Sequence, residues 1–92
     1  MTYEIQLTTD AIADIERHKL AGDYVTLRKI NILFDELRKH PSTGTGTPER
    51  LKHYAIPTWS RRINRKHRLI YRIEHNKVIV LVISAHGHYE DK

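Results

Sequence analysis

The sequence predicts an α+β fold in which two N-terminal helices pack on a mostly antiparallel sheet, in the order β-α-α-β-β-β. A short segment near the N-terminus alternates apolar and polar residues, and the stretch after it places apolar residues at helical spacing. The second half contains three strand-like segments. A chain of 92 residues favours a single domain over residues 1–92, with a thin core.

The first strand and the first helix are predicted before residue 22. A period of two is typical of a half-buried strand, and short polar side chains after it can cap a helix from about residue 10 to residue 21. The alternating positions are Tyr3, Ile5 and Leu7, the candidate caps are Thr8, Thr9 and Asp10, and the helix carries a modest apolar stripe of Ile12, Ile15 and Leu20.

The second helix has a stronger pattern and is predicted from about Tyr24 to Lys39. A proline disfavours helical backbone in the residue before it, so His40-Pro41 should end this helix. The apolar stripe consists of Leu27, Ile30, Phe34 and Leu37, widened by Ile32 and Leu33.

A loop rich in Pro, Gly, Ser and Thr covers residues 41–48, and three strands are predicted after it. The first lies around residues 59–63 and the second around 69–73, followed by a hairpin turn at 74–77. Residues 78–83 form a continuous apolar run, which favours a central strand covered on both faces.

Charge is unevenly distributed along the chain, whose overall net charge is +5. Residues 1–48 carry a net charge of −1 and residues 49–92 a net charge of +6. This asymmetry suggests a polyanionic partner that is contacted mainly by the second half. The absence of cysteine excludes disulfides, thiolate metal sites and a cysteine nucleophile.

The N-terminal segment lacks the basic region and apolar run of a signal peptide. No apolar stretch approaches the roughly 20 residues needed to cross a bilayer. We therefore expect a cytoplasmic protein that does not bind membranes.

Residues 50–72 contain eight basic residues and no acidic residue. On strands, Arg62 and Arg68 can project to one side of a sheet while apolar neighbours point to the other. Arginine matches phosphate oxygens well, and Trp59 and Tyr71 within the run can stack on unpaired bases. The run thus favours nucleic-acid binding, but a solvated basic face with Trp59 in the core fits the same pattern.

RNA cleavage by the 2′-hydroxyl needs a base to accept its proton, an acid to protonate the leaving 5′-oxygen, and cations to stabilise the phosphate. Glu49 stands alone among acids at the head of the basic run, and His88-Tyr89 lie just past the last predicted strand. A cleft between the loop and the end of the sheet would bring them together. From the residues alone, an ordinary surface role is the more frequent one for both Glu49 and His88.

Other chemistries have weaker support. His86 and His88 would share a face of an extended segment, but further ligands do not stand at a recognisable spacing, so we expect neither a metal nor a cofactor. Ser60 and Ser84 lack the glycines of a nucleophile elbow.

Three segments resemble the YoeB/Txe toxins of the RelE/ParE superfamily. They are TPERLKHY, WSRRINRKHRLIYRI and the ending HGHY, and the likeness covers residues 41–89. The sequence departs from the family at Gly87, which precedes His88, and at Glu90-Asp91-Lys92, which follow Tyr89.

The resemblance implies a RelE-like, microbial-ribonuclease-like fold and a ribosome-dependent endoribonuclease that cleaves mRNA at the A site without a metal. It assigns Glu49 as the general base, His88 as the general acid and Arg68 as the arginine that stabilises the phosphate. Tyr89 would orient or stack on the substrate. The expected RNA and phosphate contacts are Lys52, Arg62, Arg61 and Arg65.

The resemblance also implies partners: mRNA on the ribosome, and a YefM/Axe-like antitoxin whose acidic tail folds across the basic groove. Homodimerisation occurs among similar toxins and is a further expectation. Two alternatives remain open at this point. One is a non-catalytic module that binds the ribosome or represses its operon together with an antitoxin, and the other is a basic face that serves only protein partners.

Overall fold

The computed structural model describes residues 2–87 and shows two helices packed on a mixed sheet. The α+β prediction is confirmed, with one addition: a two-residue strand lies between the second helix and the three predicted strands. The elements are β1 (Glu4–Leu7), α1 (Thr9–Leu20), α2 (Tyr24–Lys39), β2 (Glu49–Arg50), β3 (Trp59–Arg62), β4 (Arg68–Glu74) and β5 (Ile79–Ser84).

The five strands of the described region are arranged in the order β1-β5-β4-β3-β2. β1 pairs with β5 in parallel, and the other neighbouring strands are antiparallel. The parallel pair needs a crossover connection, which begins with the helical hairpin of α1 and α2. β2 lies at the sheet edge, so the added strand places Glu49 on an edge rather than in a loop.

α1 presents a different face to the sheet than its apolar stripe predicted. Its buried residues are Ala11 and His18, whereas Ile12 is 56% exposed and Leu20 is 79% exposed. Ala11 belongs to the core cluster, and Ile15 alone of the predicted stripe packs against it. The prediction that Ile12 and Leu20 face inward is therefore wrong.

α2 has the bounds that its sequence pattern predicted. The Asp23 carboxylate accepts hydrogen bonds from the backbone N–H and the hydroxyl of Thr26, at 3.2 and 2.7 Å, and these bonds lower the Asp23 pKa. Such a cap satisfies N–H groups that have no partner within the helix. The core residues that α2 contributes are Ile30, Leu33, Phe34 and Leu37.

β5 is an interior strand, as predicted, but it is fully covered on one face only. Val80 and Val82 are completely buried, while Ile79 and Leu81 are only half-buried. The cause is the layer arrangement, since both helices contribute to the cluster that buries Val80 and Val82. The turn before β5 is a 3-10 turn, His75–Lys77, which ends at Val78 in a left-handed conformation with φ 56°.

Candidate active site

The two faces of β3 and β4 carry different chemistry. In the antiparallel register, Arg62 lies directly opposite Arg68, and Arg61 lies opposite Leu69. Because side chains alternate along a strand, Arg62 and Arg68 share one face and Arg61 and Leu69 share the other. Leu69 belongs to the core beneath the helices, so Arg62 and Arg68 lie on the open face.

A cleft of about 300 Å³ opens on this face of the sheet. It brings together Glu49, Arg62 and Arg68, which the sequence had placed in one site from three separate elements. A carboxylate and two guanidinium groups around one small cavity are suited to an anionic ligand that must also lose a proton. The cleft is lined by Gly46, Thr47, Glu49, Leu51, Ser60, Arg62 and Arg68.

Glu49 is held at the cleft by backbone pairing on both sides of it. It pairs with Ser60 across β2 and β3, and the N–H of Leu51 donates to the carbonyl of Thr58 at 2.8 Å. On the other side, the N–H of Arg62 donates to the carbonyl of Gly46 at 2.6 Å. The Glu49 carboxylate is exposed while its backbone is fixed, which suits a group that meets a ligand from solvent.

Arg62 and Arg68 form a like-charge pair across two strands, an arrangement that destabilises a sheet unless an anion compensates it. Their fixed partners are neutral carbonyls. Nη1 of Arg68 donates to the carbonyl of Asn64 at 3.0 Å, and Nε of Arg62 donates weakly to the same carbonyl at 3.4 Å. The pair therefore keeps its positive charge directed to the cleft.

Asn64, which no sequence motif singled out, organises the turn between these two arginines. Its Oδ1 accepts from the N–H groups of Lys66 and His67, both at 2.9 Å, and its Nδ2 donates to the Thr26 hydroxyl at 3.0 Å. An asparagine between two strand-like segments is a turn signal, which would have found it. Through Thr26, the turn is attached to the first turn of α2.

Lys52 and Arg65, two of the predicted phosphate contacts, are exposed on turns next to the cleft. Lys52 follows the cleft-lining Leu51, and Arg65 lies in the turn that Asn64 organises. Within residues 2–87, neither belongs to the cleft wall itself. Their positions are compatible with contacts to a ligand longer than the cleft.

Arg61, also predicted to bind phosphate, has a different role. Its side chain is completely buried, its Nη1 lies 3.3 Å from a Glu36 carboxylate oxygen, and its Nη2 donates to the carbonyls of His40 and Thr43 at 3.1 and 2.7 Å. Buried charges are tolerated when they are paired and hydrogen-bonded in this way. The prediction for Arg61 is therefore wrong, because its guanidinium is inaccessible to RNA.

Arg61 and Glu36 together hold the loop that leads into β2. Glu36 accepts from the N–H of Thr45 at 2.8 Å and from the hydroxyl of the same residue, and these bonds, with Arg61, lower the Glu36 pKa. Tyr71 adds to this support, because its hydroxyl donates to the carbonyl of Pro41 at 2.9 Å. We call this set (Glu36, Arg61 and Tyr71) the loop anchor.

The aromatic residues of the basic run are also directed inward. Tyr71 is completely buried, and desolvation raises its pKa, so it is not available to stack on a base. Trp59 is partly buried and packs against the core. The structure thus favours the core interpretation of Trp59 that the sequence left open.

His88 and Tyr89, predicted as the general acid and the terminal tyrosine, lie outside the described residues. The described chain ends at Gly87, whose carbonyl accepts from the N–H of Arg68 at 2.9 Å. The backbone one residue before His88 is therefore next to the cleft arginine Arg68.

A second set of side chains, outside the cleft wall, has the composition of a metal site. His18, His67 and His86 are able to offer one ring nitrogen each, with these atoms within 4.8 Å of one another. These residues are far apart in the sequence and show no recognisable metal-ligand spacing.

Comparisons with known proteins identify the family of this chain. The sequence profile of the YoeB-like toxins of bacterial type II toxin-antitoxin systems matches residues 7–89. The curated protein Toxin YoeB of Synechocystis is 41% identical over 69 residues, which cover 75% of this chain and 78% of that protein.

Solved structures show the same fold at nearly full length. The YoeB/ParE toxin from Agrobacterium tumefaciens superposes with a TM-score of 0.85 at 32% identity, covering 94% of this chain and 99% of that one. The YoeB dimer from Staphylococcus aureus gives a TM-score of 0.83 at 30% identity, covering 97% of this chain and 100% of that one. The heterotetrameric YoeB-YefM toxin-antitoxin complex from the same organism gives a TM-score of 0.80 at 29% identity, with the same coverage of both chains.

Among the described residues, neither helix is long and apolar enough to span a bilayer. The profile match covers most of the chain, and the curated relative exceeds 30% identity over more than two thirds of it. The chain therefore belongs to the family of YoeB-like toxins of bacterial type II toxin-antitoxin systems.

Proposed function

We propose that this toxin is a ribosome-dependent endoribonuclease that cleaves mRNA at the A site. The observation that carries this proposal is the cleft that joins the Glu49 carboxylate to the guanidinium groups of Arg62 and Arg68. An RNA phosphate between the two arginines would relieve their like-charge repulsion. The adjacent ribose would then be within reach of the carboxylate.

The proposed reaction is a transfer within the RNA strand. Glu49 accepts the proton of the 2′-hydroxyl, and the 2′-oxygen attacks the neighbouring phosphorus. The bond from phosphorus to the 5′-oxygen breaks, and His88 donates a proton to that oxygen. The products are a 2′,3′-cyclic phosphate and a 5′-hydroxyl, so atoms and charge balance without a redox partner or a metal-bound nucleophile.

Arg62 and Arg68 stabilise the extra negative charge that the phosphate carries in the transition state. They suit this role because their positions are set by strand pairing before the ligand arrives. The roles of His88 as general acid and Tyr89 as a substrate-orienting residue rest on the family resemblance. Lys52 and Arg65 would contact phosphates further along the strand.

We further propose that an antitoxin inhibits the protein by covering this cleft. The Staphylococcus aureus relative forms a complex with YefM, and a YefM/Axe-like partner with an acidic tail would complement the two cleft arginines. A homodimer, the state of another structure of that relative, is a further proposal for this chain. A substrate bound to the ribosome places its action in the cytoplasm.

The test is to map the RNA ends produced by the purified protein on a defined messenger, with and without ribosomes. The expected result is cleavage at the A-site codon that requires the ribosome and leaves a cyclic phosphate. A messenger with a single 2′-deoxy nucleotide at the cleavage position is the matched control, since it retains every phosphate but lacks the nucleophile. Cleavage of the deoxy messenger would contradict the mechanism.

The same experiment distinguishes the alternative of a non-catalytic module. Ribosome or operator binding that decreases steeply with salt, with an intact messenger under every condition, would favour that alternative. Ribosome binding is therefore measured in the same samples.

A further inference from the structure

Three histidine rings meet where α1, the start of β4 and the segment after β5 come together. The ring centroids of His18 and His67 are 4.6 Å apart, those of His67 and His86 are 4.4 Å apart, and those of His18 and His86 are 4.9 Å apart. His18 is almost completely buried, and the other two are partly buried. We call these residues the histidine cluster.

One hydrogen bond limits which ring nitrogen of His18 can bind a metal. Its Nε2 lies 2.8 Å from the carbonyl oxygen of Ala85, and a carbonyl can only accept, so Nε2 is the donor and Nδ1 is the nitrogen that would bind a metal. Metal-binding histidines in proteins commonly donate their second ring nitrogen to a carbonyl in this way. The Ala85 N–H in turn donates to the Asp14 carboxylate at 3.0 Å, which fixes the acceptor.

Adding a proton to the cluster is unfavourable. Burial lowers the pKa of both His67 and His86, and nearby positive groups add to this effect: His86 and His18 at His67, and Arg17 and His18 at His86. Three imidazoles with ring nitrogens within 4.8 Å of one another are the type of ligand that a borderline metal ion such as Zn²⁺ prefers. Of the charged groups nearby, the Asp14 carboxylate favours a cation and the Arg17 guanidinium opposes it.

We propose that His18, His67 and His86 bind a divalent transition-metal ion of the Zn²⁺ type at a site separate from the catalytic cleft. Around a tetrahedral Zn²⁺ with bonds of about 2.0–2.1 Å, ligand nitrogens are about 3.3 Å apart. The rings must therefore close by up to roughly 1.5 Å from the 4.8 Å limit. His67 and His86 both lie outside the helices and strands, but the Asn64 turn fixes the His67 backbone, so His86 is the ligand expected to move more.

Metal binding would alter the backbone next to the catalytic cleft. The N–H of Gly87 donates to Nδ1 of His67 at 2.9 Å. A metal on Nδ1 takes the lone pair that Gly87 uses, and a metal on Nε2 moves the single ring proton to Nδ1, which then cannot accept. In either case the hydrogen bond between Gly87 and His67 is lost.

Gly87 directly precedes His88, so the ion would act on the segment that leads to the proposed general acid. Any effect on messenger cleavage rests additionally on the proposed function. Binding is therefore measured without RNA, and failure of either proposal can be recognised separately.

The experiment titrates the tag-free 92-residue chain with Zn²⁺ by calorimetry and follows the Gly87 amide by ¹H–¹⁵N NMR. The variants are His86→Gln and His67→Gln, and the matched control is His40→Gln, an exposed histidine outside the cluster. Circular dichroism of each metal-free variant checks that it is folded.

The expected result is one Zn²⁺ per chain, with an affinity at least about tenfold lower in folded His86→Gln and unchanged in His40→Gln. The Gly87 amide signal should shift on addition of one equivalent in the unsubstituted chain. His67→Gln should also bind at least about tenfold more weakly. Undetectable binding by the unsubstituted chain, or equal affinity in all four proteins, would overturn the proposal.

Discussion

Arg61 and Arg62 are neighbours in sequence, yet one supports the fold and the other faces the cleft. Arg61 points under the helices, is completely buried, and pairs with Glu36 and loop carbonyls. Arg62 points to the open face, is exposed, and lines the cleft opposite Arg68. Successive side chains on a strand point to opposite faces of the sheet. Neighbouring basic residues can therefore have different roles, one in the core and the other on the open face.

The largest expected effect on stability is at Arg61. Arg61→Met should lower the free energy of unfolding by about 3 kcal/mol, because Glu36 and the loop carbonyls lose a buried partner. The matched control, Arg62→Met, should change the free energy of unfolding by less than about 0.5 kcal/mol, since the Arg62 side chain is exposed. Urea unfolding of both variants provides the measurement. Equal destabilisation would contradict the conclusion that Arg61 supports the fold and Arg62 does not.

Gly46 tests how tightly the loop is held against β3. It has φ +83°, and an added Cβ would lie 2.7 Å from the Arg62 carbonyl oxygen, so Gly46→Ala should cost about 2–3 kcal/mol. Gly22→Ala is the control, because Gly22 has a similar φ of +69° but open space around it, and it should cost about 1 kcal/mol. Thermal unfolding compares the two. Equal costs would mean that the loop is not packed closely on Arg62.

Arg62 on the open face should contribute to the salt dependence of RNA binding. Arg62→Met should reduce the slope of log affinity against log salt for single-stranded RNA by about 0.7, the contribution of one phosphate contact. Arg28→Met, an exposed arginine on α2, should leave that slope unchanged. The slope is measured from the affinity for a non-cleavable 2′-O-methyl RNA at several salt concentrations. A similar decrease in both variants would assign the effect to net charge alone.

The smallest expected effect is the pH dependence contributed by Glu36. Hydrogen bonds from Thr45 and the Arg61 charge hold its pKa below the ordinary value of 4.5, so its stabilising contribution is complete above that value. The contribution is lost as the pH decreases through the lowered pKa. The stability difference between the unsubstituted chain and Glu36→Gln should therefore be constant above about pH 5 and diminish as the pH decreases below 4.5. Glu16→Gln, on the exposed side of α1, is the control for general charge effects. Urea unfolding over this range checks the trend, and a constant Glu36→Gln difference would contradict it.

The sequence predicted most accurately the element with a single clear apolar period. The amphipathic stripe and the proline after it predicted α2 with its correct bounds, whereas α1 lacked a strong stripe and was predicted with the wrong inward face. β2 was not predicted, because two residues are too few to show a period.

In the site, Glu49, Arg62 and Arg68 were predicted from their chemistry and from the family motifs, and the structure places all three around one cleft. The assignment of Arg61 was wrong although the sequence contained a warning. Arg61 alternates with Trp59 and Ile63 on the same face of the predicted strand, and both of these residues are apolar. The histidine cluster was beyond sequence reasoning, because it depends on how α1 and the segment after β5 meet in space.

The most direct test of the proposed catalytic cleft is the single-turnover rate of messenger cleavage on the ribosome by Glu49→Gln, beside Glu74→Gln as the control. Glu74 is an exposed acid at the far end of β4, so its substitution should leave the rate unchanged. Loss of the proposed general base should slow cleavage by about 10²–10⁴-fold while the variant stays folded and bound to the ribosome. Cleavage by folded Glu49→Gln at the unsubstituted rate, or an equal loss in Glu74→Gln, would contradict a catalytic role for the cleft.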